Sequence, residues 1–147
     1  MNYAKTTSVS VDRSRTEIEH LVMRYGATGF IYGQEENRAM VAFKLGMHQV
    51  KIVLLLPPAT EFETTPTGQH RTSTAAIKAH QQAIRQRWRA LKLIIQAKFE
   101  AVECGVSTFE REFLADLLLP GGETFGERFI PEIEAAIAGR GLPKLLP

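Results

Sequence analysis

Residues 85–92, RQRWRALK, set four cationic side chains around the chain's one tryptophan within eight positions. Guanidinium and ammonium groups at this density bind phosphate oxygens, and an indole among them could stack on a base. Spacing decides whether they act together. On a helix turning by about 100° per residue, Lys78, Arg85, Arg89 and Lys92 fall within an arc of about 60° and extend over about 21 Å. Arg87 and Lys98 fall on the opposite flank of an apolar seam formed by Ile84, Trp88, Leu91, Ile95 and Val102. Trp88 lies on that seam, so core packing is its expected role ahead of base stacking. The stripe has two readings. It is a phosphate track whose affinity falls with salt, or a solvated flank whose aliphatic stems cover neighbouring core. Glu100 and Glu103 follow the stripe and would weaken a track at its carboxyl-terminal end.

The remaining chemistry-bearing residues do not cluster in the sequence. His20, His48, His70 and His80 have no Cys or carboxylate at metal-ligand spacing. GQEENR and PGGET lack the lysine of a phosphate-binding loop, and no GxSxG elbow occurs. Glu35 and Glu36 sit in a turn, and the strand-like runs carry no carboxylate where a two-metal nuclease would need several. The expectation is a non-enzymatic protein without a cofactor or metal. Cys104 is the single cysteine and has no histidine nearby, so it reads as an inert, buried thiol in a reducing compartment.

The elements that must position these residues follow from periodicity. TTSVSV (6–11) reads as a short strand or an extended arm. Ser14 and Glu17 have capping-box spacing, and Ile18, Leu21, Val22 and Tyr25 form a helical stripe stopped by Gly26. Three strand-like runs follow at 28–34, 38–45 and 48–56, joined by turns at 35–37 and 46–47. They predict an antiparallel meander. In the middle run Met40, Ala42 and Lys44 alternate with Ala39, Val41, Phe43 and Leu45. The third run is apolar on both faces near its end, which predicts a helix over it. Residues 57–73, with three prolines, predict a mobile loop that orders on binding. A long helix is expected from about residue 74 to Glu103. FEREFLADLLL and a last segment disturbed by Pro131 give two shorter helices. The tail RGLPKLLP is expected to be irregular, with its leucines on the core.

The sum is an α+β single domain over 1–147: a helix plus meander (1–56), the loop (57–73) and a helical part (74–147). Helices on one sheet face leave the other face needing a ligand, a partner subunit or polar cover. Phe30, Tyr32 and Phe43 are the rings best placed for a stacking platform. Lys44, Lys51 and Arg71 are secondary phosphate contacts, with Arg38 near the first hairpin.

The net charge of +2 is small, but its distribution is uneven. Residues 1–98 hold 14 Lys/Arg against 7 Asp/Glu (+7), and residues 99–147 hold 4 against 9 (−5). This implies a basic binding face, head-to-tail self-contact, or pairs that neutralise within the fold. The amino-terminal stretch lacks the apolar core of a signal peptide, and IVLLLPPA (52–59) is too short to span a bilayer. A soluble, cytoplasmic protein with no membrane partner is expected.

RQRWRALKLIIQAKFEAVECGVSTFEREFLADLLLPGG, PEIEAAIAGRGLPKLLP and the opening VSVDRSRTEIEHLVMRYGATGFIYG resemble a family of small uncharacterised proteins of tailed bacteriophages and prophages. The resemblance covers nearly the whole chain and implies a phage setting in a bacterial cytoplasm. It implies no functional residues. At the level of element order, three antiparallel strands followed by a long helix are similar to the core of phage single-strand-annealing proteins, which bind DNA in a basic groove and assemble into rings or filaments. The first expectation is an oligomeric nucleic-acid-binding accessory protein in DNA replication or recombination, with single-stranded DNA favoured as partner. Lys78, Arg85, Arg89 and Lys92 would be its phosphate contacts. The alternative is a protein-interaction module or inhibitor of a host factor. It would use the proline-rich loop and the acidic stretch from Glu100 to Glu134.

Overall fold

The structure, a computed structural model, describes residues 4–146. The first three residues of the amino-terminal stretch and Pro147 of the tail lie outside the described residues. Residues 7–10 run as an arm without strand pairing into helix α1, Val11–Arg24. Its cap is Ser10, whose hydroxyl accepts from the Arg13 amide at 3.1 Å, one turn earlier than the Ser14–Glu17 spacing predicts. Ser14 instead extends the apolar stripe of Ile18, Leu21 and Val22 and is fully buried. Gly26, at φ 103°, closes the helix by letting Ala27 donate back to Val22.

The Ser14 hydroxyl is buried without a hydrogen-bond partner among the described residues. Removing such a group relieves its desolvation cost, and alanine is also the better helix former. Ser14→Ala should therefore raise stability by about 0.5–1.5 kcal/mol. The check is the urea midpoint, and a drop would mean that the hydroxyl has a partner.

Strands β1 (Gly29–Gln34), β2 (Arg38–Leu45) and β3 (His48–Leu55) form an antiparallel sheet in the order β1-β2-β3. Phe43 faces Phe30 on one side and Val50 on the other, so these side chains share the inner face with Ala39 and Val41. Helix α2, Ser73–Glu103, is capped by Thr72 and covers that face with Trp88, Leu91, Ile95 and Phe99. Helix α1 packs beside α2. Phe99, absent from the predicted seam, is 2% exposed and stacks on Tyr25 at 4.4 Å.

Segment 57–73, the expected loop, has local structure of its own. It contains a 3-10 turn at Ala59–Phe62 and a small bridge, Thr64 with His70, that turns over Gly68. Arg71 staples it by donating to the carbonyls of Phe62 (3.1 Å) and Thr64 (2.8 Å). His80 of α2 hydrogen-bonds the Pro57 carbonyl at 3.0 Å.

FEREFLADLLL does not form one helix. Helix α3 covers Phe109–Glu112 only, a 3-10 turn follows at Leu114–Asp116, and Leu117–Leu118 run extended along β3. The Leu118 amide donates to the Gln49 carbonyl at 2.8 Å. An unpaired strand edge carries donors and acceptors that need partners, and this apolar segment supplies them.

Helix α4, Phe125–Arg140, starts with the predicted capping box of Thr124 and Glu127. Pro131 lies inside it, and Glu127 and Pro131 are exposed, so water can reach the carbonyl that loses its partner. The helix sits on the 3-10 turn through Gly126, where a Cβ would lie 2.9 Å from the Ala115 carbonyl oxygen. Every residue from 131 to 140 is exposed. The tail leucines, expected on the core, are also exposed, Leu145 at 97%.

Candidate docking surface

The predicted phosphate track is placed along the α1–α2 seam. Arg89 is ion-paired with Glu17 of α1. Arg85 is held by the Gln82 side-chain oxygen at 2.7 Å, and the Gln82 amide donates to the Lys5 and Thr7 carbonyls of the amino-terminal arm. Lys92 donates to Gln96 at 2.6 Å. Arg85, Arg89 and Lys92 are half-buried, and only Lys78 of the four is fully exposed. Of the opposite flank, Arg87 reaches the Leu55 carbonyl and Lys98 the Glu112 carbonyl. Trp88 is 1% exposed, in the core as its seam position predicts.

Burial pushes the Glu17 carboxyl up, but the Arg89 guanidinium, with Lys92 and Arg13, outweighs it and holds the group below the ordinary glutamate value of 4.5. A carboxylate depressed on folding stabilises the fold above its unfolded value, and that stability is lost as pH falls through the folded value. Arg89→Gln should cost about 1–2 kcal/mol at pH 7, as for a partly buried charge-assisted pair. The difference from wild type should shrink at pH 3. Urea midpoints of both proteins at the two pH values check this, and a difference that persists at pH 3 would assign the loss to packing alone.

The other face of the sheet is uncovered. Register places Ile31, Met40, Ala42, Lys51, Val53 and Leu55 there, opposite the α2 face. Ile31 is 60% exposed and Leu55 68%, so no helix lies over the end of β3 as its two-sided apolar pattern predicted. Gly29 and Gly33 of β1 leave the strand low on either side of Ile31. Two shallow depressions open beside it, one reaching Leu118 and Lys44, the other bounded by Arg38 and Val53. Lys44 and Lys51 are the lysines of this face, and no strand carries a carboxylate. At its corner Arg38 pairs with Glu35 at 2.8 Å, and this hydrogen bond holds the Glu35 carboxyl below its ordinary value. Among the described residues no aromatic ring of the strands lies on the outer face. Phe30 and Tyr32 share the inner side with Phe43, and Tyr32 lies at the edge beneath the Arg15 guanidinium, 4.1 Å away.

The candidate residues therefore divide. Lys44 and Lys51 come together on the outer face, Arg85, Arg89 and Lys92 lie along the seam, and Arg71 is a loop staple. Among the described residues no three His, Cys, Asp or Glu side chains gather to hold a metal. Burial raises the Asp116 carboxyl, with Lys98 opposing. Cys104, expected to be buried, is exposed at the end of α2. Among the described residues no helix is long and apolar enough to cross a membrane.

The fold is α+β, with one sheet face packed and the other presenting apolar and cationic side chains. No family model, no curated protein and no solved structure matches the chain.

Proposed function

We propose that the protein is a non-catalytic accessory module that works by docking another protein on the outer face of its sheet. The observation that carries this reading is the exposure of Ile31, Val53 and Leu55 on one face of the sheet, with half-buried Met40 and Lys51 between them. An exposed apolar patch with a charged rim is the usual anatomy of a protein-binding surface. The resemblance to small phage and prophage proteins supports an accessory role in a bacterial cytoplasm, in replication and recombination or in countering a host factor. A photoreactive residue at position 31 tests the reading. In nuclease-treated lysate it should give a protein adduct that the same group at exposed Val106 does not. Absence of any protein adduct at position 31 overturns the reading.

Single-stranded nucleic acid is the second reading, supported by Lys44 and Lys51 on a face whose strands carry no carboxylate. Among the described residues the strands offer no ring on this face to stack on, and stacking supplies about 1–3 kcal/mol per base in such sites. A salt titration with a labelled oligonucleotide separates the two. Binding that weakens with salt and is lost in a Lys44→Glu, Lys51→Glu variant makes nucleic acid the ligand. No binding at low salt leaves the protein reading.

A further inference from the structure

We infer that the seam between helices α1 and α2 binds a phosphate group, in a cleft beside Arg24 and Lys92. The inference is independent of the docking reading, because the cleft and the outer sheet face share no residue.

The two helices run side by side in the same direction: Glu17 meets Arg89, and farther along Tyr25 stacks on Phe99. Glu17, His20, Leu21 and Arg24 are spaced i, i+3, i+4 and i+7, so they share the face of α1 beside α2. Lys92 and Gln96, one turn apart, meet them from α2. Together these residues line a cleft of about 300 Å³. A water takes about 30 Å³, so a tetrahedral oxyanion fits with solvent around it. The cleft opens on the side of His20 and Arg24, both of which are exposed.

Charge and donors select the ligand. Glu17 is the one carboxylate of the lining, and Arg89 and Arg13 already bond it. Arg24 and Lys92 are left as cations in excess, and neither forms an ion pair among the described residues. Lys92 gives one of its three N–H donors to Gln96, at 2.6 Å, and keeps the others. The Arg24 guanidinium stands over the Tyr25 ring, 5.4 Å from its centre. Burial raises the Glu17 carboxyl, yet Arg89, Lys92 and Arg13 hold it below its ordinary value, so the field along the seam is positive. The other acids stand away from the cleft. Asp12 and Glu19 fall about 140° and 160° from Glu17 around α1. Glu100 and Glu103 lie about 12 Å and 17 Å beyond Lys92 along α2, more than a Debye length of about 8 Å. There they accept from Gln96 and from the Tyr25 hydroxyl. An ammonium and a guanidinium about one cleft are the groups that bind phosphate oxygens. A nucleic-acid backbone, a free nucleotide and inorganic phosphate all carry this group, and the test separates them.

The test is calorimetry of the full-length protein at low salt with three probes: a thymidine oligonucleotide, adenosine triphosphate and inorganic phosphate. At least one should bind, with an affinity that falls as salt rises. Binding of the oligonucleotide alone assigns the phosphate to a backbone. Stronger binding of the triphosphate assigns it to a nucleotide, and binding of inorganic phosphate alone to the free anion. Arg24→Gln with Lys92→Gln should weaken the binding by about tenfold or more, through the loss of two charge-assisted contacts. Arg24→Lys with Lys92→Arg keeps both charges and should retain it, and both variants should keep the wild-type circular dichroism spectrum. Lys44→Glu with Lys51→Glu, on the outer sheet face, should bind as wild type does. No binding of any probe at low salt overturns the inference. So does full binding by the Gln variant, or an equal loss in the variant that keeps the charges. Loss in the outer-face variant while the Gln variant still binds places the phosphate on the sheet and overturns it as well. None of these outcomes alters the crosslink at position 31, so the docking reading stands or fails separately.

Discussion

Trp88→Ala is expected to cost about 3–5 kcal/mol, the range for truncating a fully buried large aromatic. The indole is the largest fully buried side chain and belongs to the one core cluster that α2 shares with α1 and the sheet. A domain of this size has about 5–15 kcal/mol of net stability, so the variant would lose about a fifth or more of it. Urea unfolding followed by circular dichroism is the measurement. With a slope of about 1–3 kcal/mol per molar, the midpoint should fall by more than 1 M. Trp88→Phe should cost less, because it also removes an indole N–H that has no partner among the described residues. Equal losses for the two variants would mean that the N–H is hydrogen-bonded in solution.

Phe113→Ala is expected to cost a similar 3–5 kcal/mol, with a different local consequence. Phe113 is fully buried at the point where the chain leaves α3, with ring centroids 4.9 Å from Phe109, 5.1 Å from Phe99 and 5.7 Å from Phe43. It anchors the 3-10 turn that carries Leu117–Leu118 to the edge of β3 and seats α4 through Gly126. Loss of the ring should therefore open this edge first. Hydrogen exchange at the Leu118 amide, bonded to Gln49, should accelerate more than exchange in the β1–β2 pairing. Uniform acceleration across the sheet would show that the edge has no separate stability.

The legible parts of the fold are those set by neighbours in sequence. The alternation in RAMVAFKL assigned the two faces of β2 correctly because side chains alternate across a strand wherever the strand lies. Thr124 with Glu127 marked the start of α4 because a capping box is closed within one turn. Ser14 with Glu17 has the same spacing and is not a cap. Ser10 lies one turn earlier, and burial against α2 takes Ser14 into the core. Both spacings are equally good locally, and only packing distinguishes them.

The candidate site was legible in its residue types and not in its location. The cationic stripe of α2 is geometrically real, yet Glu17, 72 residues from Arg89, occupies part of it. No local signal marks that pair. The apolar outer face did leave a signal in the sequence, the two-sided apolar end of β3, but the same pattern serves equally for a strand covered by a helix of its own chain. Likewise the isoleucines of α4 have the period of a packed helix whether the covering surface belongs to this chain or to another.

The sequence by itself determined the class and order of the elements, the alternation of faces along β2 and the burial of Trp88, because these depend on period and on caps within a few residues. Tertiary structure alone decided that Leu117–Leu118 become a strand partner, that Arg71 is spent on holding a loop, and that the outer sheet face and α4 both stay uncovered. Those outcomes depend on which groups meet across tens of residues. There, competition for unpaired backbone edges and apolar surface outweighs local preference.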